Sequence, residues 1–205
     1  MKFVLGQKVI DLLRLKNNFI KNYLNDNPLF LKFIMNIFSL LPNHGNKQKI
    51  KLLKFCGAKV ADSVGIGENF YVYQPKNLIL DDFVGIADNT TMRCWDKVHI
   101  GKYTFLAINS VFIPGGHRTD NYENLINQEI YIGPGCWIGA NCTIMGGTKI
   151  LKGSIVGAGT VVRGQEYPSF SIIAGVPGKV IKKRLPQSHM NIPQEYNIEE
   201  LQDYA

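Results

Sequence analysis

Aliphatic residues recur every six positions in the C-terminal half of the chain: Ile132, Ile138, Ile144, Ile150, Val156 and Val162 hold one phase without a break. Four positions after each stand Cys136, Cys142, Thr148, Ser154, Thr160 and Glu166, five of them small. Directly after them come Gly133, Gly139 and Gly157, with Met145, Leu151 and Arg163 in the other turns. Upstream the same step runs in three blocks: Val60, Ile66, Val72; Leu80, Ile86, Met92; and Ile100, Leu106, Phe112. Each block starts twenty residues after the one before, which is three hexapeptides plus two residues. The surplus pair falls at one point of the cycle, at Leu78-Ile79 and Val98-His99, and the next block is delayed at that same point by residues 118–131.

A strand sends alternate side chains to opposite faces, so a six-residue side carries a few strand residues and then a turn. Stacking such sides predicts a three-sided parallel coil of about five turns over residues 57–181, with aliphatic residues inside and a corner loop at 118–131. An antiparallel sheet with regular turns would not keep one phase over this length. The ends differ. Residues 1–56 carry apolar positions at helical spacing (Val9, Leu12, Leu13; Phe30, Phe33, Ile34, Ile37) with a break at Asn27-Pro28, which predicts a helical cap on the first coil. Residues 182–205 read as a basic tail with a short amphipathic helix over 197–204.

Composition narrows the class. Hydrophobic residues at 45% with 19% charged indicate a globular chain. Cys56, Cys94, Cys136 and Cys142 form no C-x-x-C pair and read as reduced packing thiols, in keeping with a cytoplasmic protein. Lys8 and Asp11 interrupt any secretory signal, and the apolar run 29–41 contains Lys32 and Asn36. That run falls short of the roughly 20 residues a bilayer span needs, so it either caps the coil or lies on the inner membrane surface. The net charge is +7, with basic residues bunched at Lys47–Lys54 and Lys179–Arg184. No nucleic-acid-binding motif accompanies them, so a phosphorylated small molecule is the expected partner. The four histidines are too scattered for a zinc site, and His99 is expected to be exposed.

His117 is the last residue before the corner loop, at the edge where every irregularity gathers. Imidazole near neutral pH is suited to general-base work, and Asp120, Glu123 and Glu129 are candidates to orient it.

The run Ile100-Gly101 through Gly116-His117, then Ile132-Gly133-Pro134-Gly135-Cys136-Trp137-Ile138-Gly139-Ala140-Asn141, resembles the hexapeptide-repeat sugar O-acetyltransferases, galactoside, maltose and surface-polysaccharide members among them. The segments 156–162 and 174–181 continue the likeness, and Leu52 to Val60 is similar to the approach to the helix in the polysaccharide members. The resemblance implies a mainly β, left-handed parallel β-helix, a homotrimer, acetyl-CoA as co-substrate and a sugar or glycan as acceptor. It places His117 as catalytic base, Trp137, Ala140, Ala158, Arg163 and Lys179 along the coenzyme, and Asn89 and Asp96 toward the sugar. It implies no metal. N-acetylation of a nucleotide-linked amino sugar is the alternative chemistry, and a non-enzymatic binding or assembly solenoid the alternative class.

Overall fold

The computed structural model describes residues 18–39, 45–118, 120–121 and 123–184. From Lys59 onward the chain winds into a parallel β-helix with three flat faces. The first face stacks Lys59–Val60, Leu78–Leu80, Val98–Ile100, Ile130–Ile132, Lys149–Ile150 and Glu166–Tyr167, all parallel. The second stacks Gly65–Ile66, Gly85–Ile86, Phe105–Leu106, Trp137–Ile138, Ile155–Val156 and Ser171–Ala174. The third stacks Tyr71–Tyr73, Thr91–Arg93, Val111–Ile113, Thr143–Met145 and Val161–Val162. Corners are named here by the faces they join: first–second, second–third and third–first.

The period of six is the inward column. Val60, Leu80, Ile100, Ile132 and Ile150 are buried on the first face, Ile66 to Val156 on the second, and Val72, Met92, Phe112, Ile144 and Val162 on the third. Registers put like beside like, Ile100 next to Ile132 and Ile138 next to Val156. Six strands on the first face mean about six turns, one more than the six-step counts. The last turn enters after a step of five, at Tyr167, whose buried ring fills the prism while its hydroxyl donates to the Gly178 carbonyl at 3.1 Å.

Small buried residues tie the corners together. The Thr104 hydroxyl donates to the Gly133 carbonyl at 2.8 Å and accepts from the Cys136 N–H at 3.1 Å, linking one coil to the next. All four cysteines are free and buried, and burial pushes the Cys56 and Cys136 thiols up to about 12.

The irregularity does gather at the third–first corner, although with different bounds. Leu78–Leu80 and Val98–Ile100 are paired strands, so the added length is taken up by the turns at 74–77 and 94–97. The long excursion runs over 114–129, not 118–131, because Ile130–Ile132 is already back on the first face.

The stack is covered on all three faces at its start and on the second face at its end. Among the described residues three helices, Asn18–Asp26, Pro28–Ser39 and Gly45–Phe55, precede the first coil, the last two packing on its Tyr71–Tyr73, Lys59–Val60 and Gly65–Ile66 strands. Their side chains supply the hydrogen bonds that a strand below would have made. Asn46 donates to the Val64 carbonyl at 2.7 Å and accepts from the Ile66 N–H at 2.9 Å. Lys49, only 4% exposed, donates to the Ile66 and Gly67 carbonyls at 3.1 and 2.8 Å. Asn36 accepts from the Asn69 N–H at 3.2 Å. At the other end Lys179–Lys183 reverses direction and pairs antiparallel with Ser171–Ala174, so the β-structure continues past residue 181. The expected helix over 197–204, and the helical positions Val9, Leu12 and Leu13, lie outside the described residues.

Candidate functional site

The excursion at the third–first corner is a two-stranded ribbon. Gly115–His117 pairs antiparallel with Leu125–Asn127, Gly115 opposite Asn127 and His117 opposite Leu125. Glycine at 115 permits this path: a Cβ there would strike the Asn127 side-chain oxygen and come within 3.2 Å of the Trp95 ring. The base of the ribbon is pinned by the Gln128 N–H donating to the Pro114 carbonyl at 2.7 Å and by a Lys97–Glu129 ion pair at 2.6 Å. The imidazole of His117 is exposed on this anchored ribbon.

Two carboxylates considered as orienters are engaged by cations. Asp120 pairs with Arg118, and Glu129 with Lys97; each partner holds its carboxyl below the usual range. His99 is half-buried rather than exposed: its Nε2 lies 2.9 Å from the Asp81 carboxylate, and its ring meets the edge of Tyr131 at 5.3 Å.

Below the ribbon lies a cluster that the sequence reading missed. The Arg93 guanidinium sits 5.6 Å from the Tyr71 ring and 5.5 Å from the Trp95 ring, and Tyr73 meets Trp95 edge-on at 6.4 Å. These residues come from two successive coils, with Tyr71 and Tyr73 in register beside Thr91 and Arg93. Their signal was that the pairs Tyr71–Arg93 and Tyr73–Trp95 each lie about one coil apart, at outward positions.

The other expected contacts divide between edges. Ala140 and Ala158 stack at the second–third corner, where the Gly159 N–H donates to the Ala140 carbonyl at 2.8 Å. A Cβ on Gly139 would lie 2.6 Å from the Ala158 nitrogen, so this corner is packed backbone on backbone. Trp137 stands on the second face between Phe105 and Ile155, 55% exposed, and Lys179 opens the reversed strand at the end of that face, opposite Ala174. Asn89 also lies at the second–third corner, in the left-handed conformation (φ 59°) that turns the chain. Arg163 and Asp96 fall instead at the third–first corner with His117; Asp96 accepts the Lys97 N–H at 2.7 Å. Among the described residues no group of three or more His, Cys, Asp or Glu could hold a metal ion.

No curated protein matches the chain in sequence. Residues 129–164 match the family described as bacterial transferase hexapeptide (six repeats). In structure the chain is similar to a hexapeptide-repeat-containing acetyltransferase from Vibrio cholerae O1 biovar eltor complexed with acetyl coenzyme A, with a TM-score of 0.70, 21% identity, and coverage of 80% of this chain and 88% of that one. It is also similar to a maltose O-acetyltransferase from Clostridium difficile 630 (TM-score 0.69, 20% identity, 80% and 89% covered). A galactoside acetyltransferase in complex with coenzyme A aligns with a TM-score of 0.66 at 22% identity, over 82% and 88% of the two chains. The chain thus carries the bacterial transferase hexapeptide repeat on the parallel β-helix fold of the hexapeptide-repeat acetyltransferases.

Proposed function

We propose that the protein is an acetyl-CoA-dependent O-acetyltransferase acting on a sugar hydroxyl, in the synthesis or decoration of a surface polysaccharide. The observation that carries this reading is the exposed His117, held on a pinned ribbon at the one long excursion in the β-helix. The imidazole accepts the hydroxyl proton as the sugar oxygen bonds to the thioester carbonyl carbon. The C–S bond then breaks, and the proton passes to the departing thiolate. Holding both substrates in register supplies a further part of the rate.

The small residues Ala140 and Ala158 suit the close approach of an extended pantetheine arm, with Trp137 beside it and Lys179 toward the phosphates. Arg163 stands at the third–first corner with His117, apart from those four. Asn89 and Asp96 stay as acceptor-side candidates, and the Trp95 platform joins them, since an aromatic face suits the apolar face of a pyranose. His117 and the alanine corners belong to different edges of one prism, so we take the site to be completed by a neighbouring copy in a homotrimer. The exposed Phe105 and Trp137 of the second face support such packing. We place the protein in the cytoplasm.

The test is coenzyme A release by the purified chain from acetyl-CoA across a panel of sugars. His117→Ala is expected to lower kcat by roughly two to four decades while calorimetric binding of acetyl-CoA persists. Unchanged turnover in that variant removes His117 from the mechanism. Absence of acetyl-CoA binding by the native chain returns the fold to a binding or assembly role.

A further inference from the structure

Charge is divided unevenly along the chain. Residues 1–59 hold eleven lysines and arginines against two aspartates and no glutamate, whereas residues 60–205 hold twelve basic against fourteen acidic residues. Within that segment the three described helices carry six lysines against one aspartate, while residues 60–205 are slightly negative.

The same layer is apolar on two sides. Leu31, Ile34 and Met35 of helix Pro28–Ser39 are buried inward. On its outer side Leu29 is 73% and Phe33 59% exposed, Phe30 stacks on Phe33 at 6.4 Å, and Tyr23 meets Phe30 edge-on at 5.8 Å. Lys32 lies between Leu29 and Phe33 in the helix, and Lys47 and Lys51 are exposed on the adjoining helix Gly45–Phe55, where Lys54 is paired with Asp62 at 2.6 Å. A contiguous group of large exposed apolar side chains marks a docking surface.

We propose that this helical layer is a docking surface for a membrane leaflet containing anionic lipid, with Leu29, Phe30, Phe33 and Tyr23 entering the interface and the lysines meeting the headgroups. The helix is twelve residues long, and no described helix is long and apolar enough to cross a membrane, so it lies on the leaflet. Charge selects this occupant over a second copy. Two such layers face to face would bring both positive surpluses together, which opposes association. Polynucleotide would satisfy the lysines and leave Leu29 in water.

The full chain tests this by flotation with vesicles of phosphatidylcholine alone or mixed with phosphatidylglycerol, at low and high salt. Native protein is expected to float with the mixed vesicles at low salt and to release as salt rises. The double variant Leu29→Glu/Phe33→Glu is expected to lose about tenfold or more of its partition, with its thermal unfolding unchanged. A charge variant, Lys32→Glu/Lys47→Glu, is expected to weaken binding while keeping the apolar side chains. The proposal is overturned if native protein stays in solution with both vesicle types, or if Leu29→Glu/Phe33→Glu floats as the native chain does. It is also overturned if that variant's only effect is a smaller assembly by light scattering, which assigns the surface to a second copy.

Discussion

At the scale of single residues, the stacked coils separate two kinds of glycine. Gly133 is wedged against the next coil: a Cβ there would lie 2.7 Å from the Lys152 nitrogen and 3.0 Å from the Leu151 carbonyl carbon, both backbone atoms with nowhere to retreat. Gly65 on the second face has nothing within 4 Å of where a Cβ would stand. Gly133→Ala is therefore expected to lower stability by about 1–3 kcal/mol in denaturant unfolding, and Gly65→Ala to leave the midpoint essentially where it is. Equal effects from the two substitutions would show that backbone contact between coils does not set which glycines tolerate a side chain. Both glycines occupy repeat-like positions in the sequence, so only the stacked coils tell them apart.

Among the elements, the helix Gly45–Phe55 does the work of a missing strand. Lys49→Met removes both donors from the Ile66 and Gly67 carbonyls and is expected to cost about 1–3 kcal/mol, read by chemical denaturation. Burial holds the Lys49 ammonium below the usual lysine value, outweighing the pull of Glu68 and Asp88. The unfolded chain therefore binds this proton more tightly. Between the lowered value and the ordinary 10.5, stability from this residue rises with pH, a rise that the methionine variant should lack. The sequence hid this role, because Lys49 sits within a basic run that reads as a partner for a phosphorylated small molecule. The inward column was legible for the opposite reason: one aliphatic side chain per six residues fills the prism, and a small buried one follows it at the corner. Tyr167 escaped that pattern through a step of five and an aromatic ring. The Tyr71, Tyr73, Arg93 and Trp95 cluster escaped it because its members meet only when two coils stack. The ribbon's start was misjudged because Pro114-Gly115-Gly116 reads as the approach to a loop, whereas the paired ribbon already begins at Gly115.

For the molecule as a whole, the expected site residues are distributed over two edges of one prism. On the shared-site reading, a His117→Ala chain and an Ala158→Trp chain, each inactive alone, complement one another when folded together. Random mixing is expected to restore roughly a quarter of the native rate, since half the histidines and half the alanine corners are intact and they pair independently. A mixed assembly verified by mass that stays inactive would mean that each chain builds its site alone. The reversed strand Lys179–Lys183 has a further consequence for the shape of the protein in solution. A winding chain that simply stopped would expose a step on which another molecule could continue the same thread. Here the last described strand runs the opposite way and carries Lys182 and Lys183, a geometry and charge that disfavour end-on continuation of the same parallel thread.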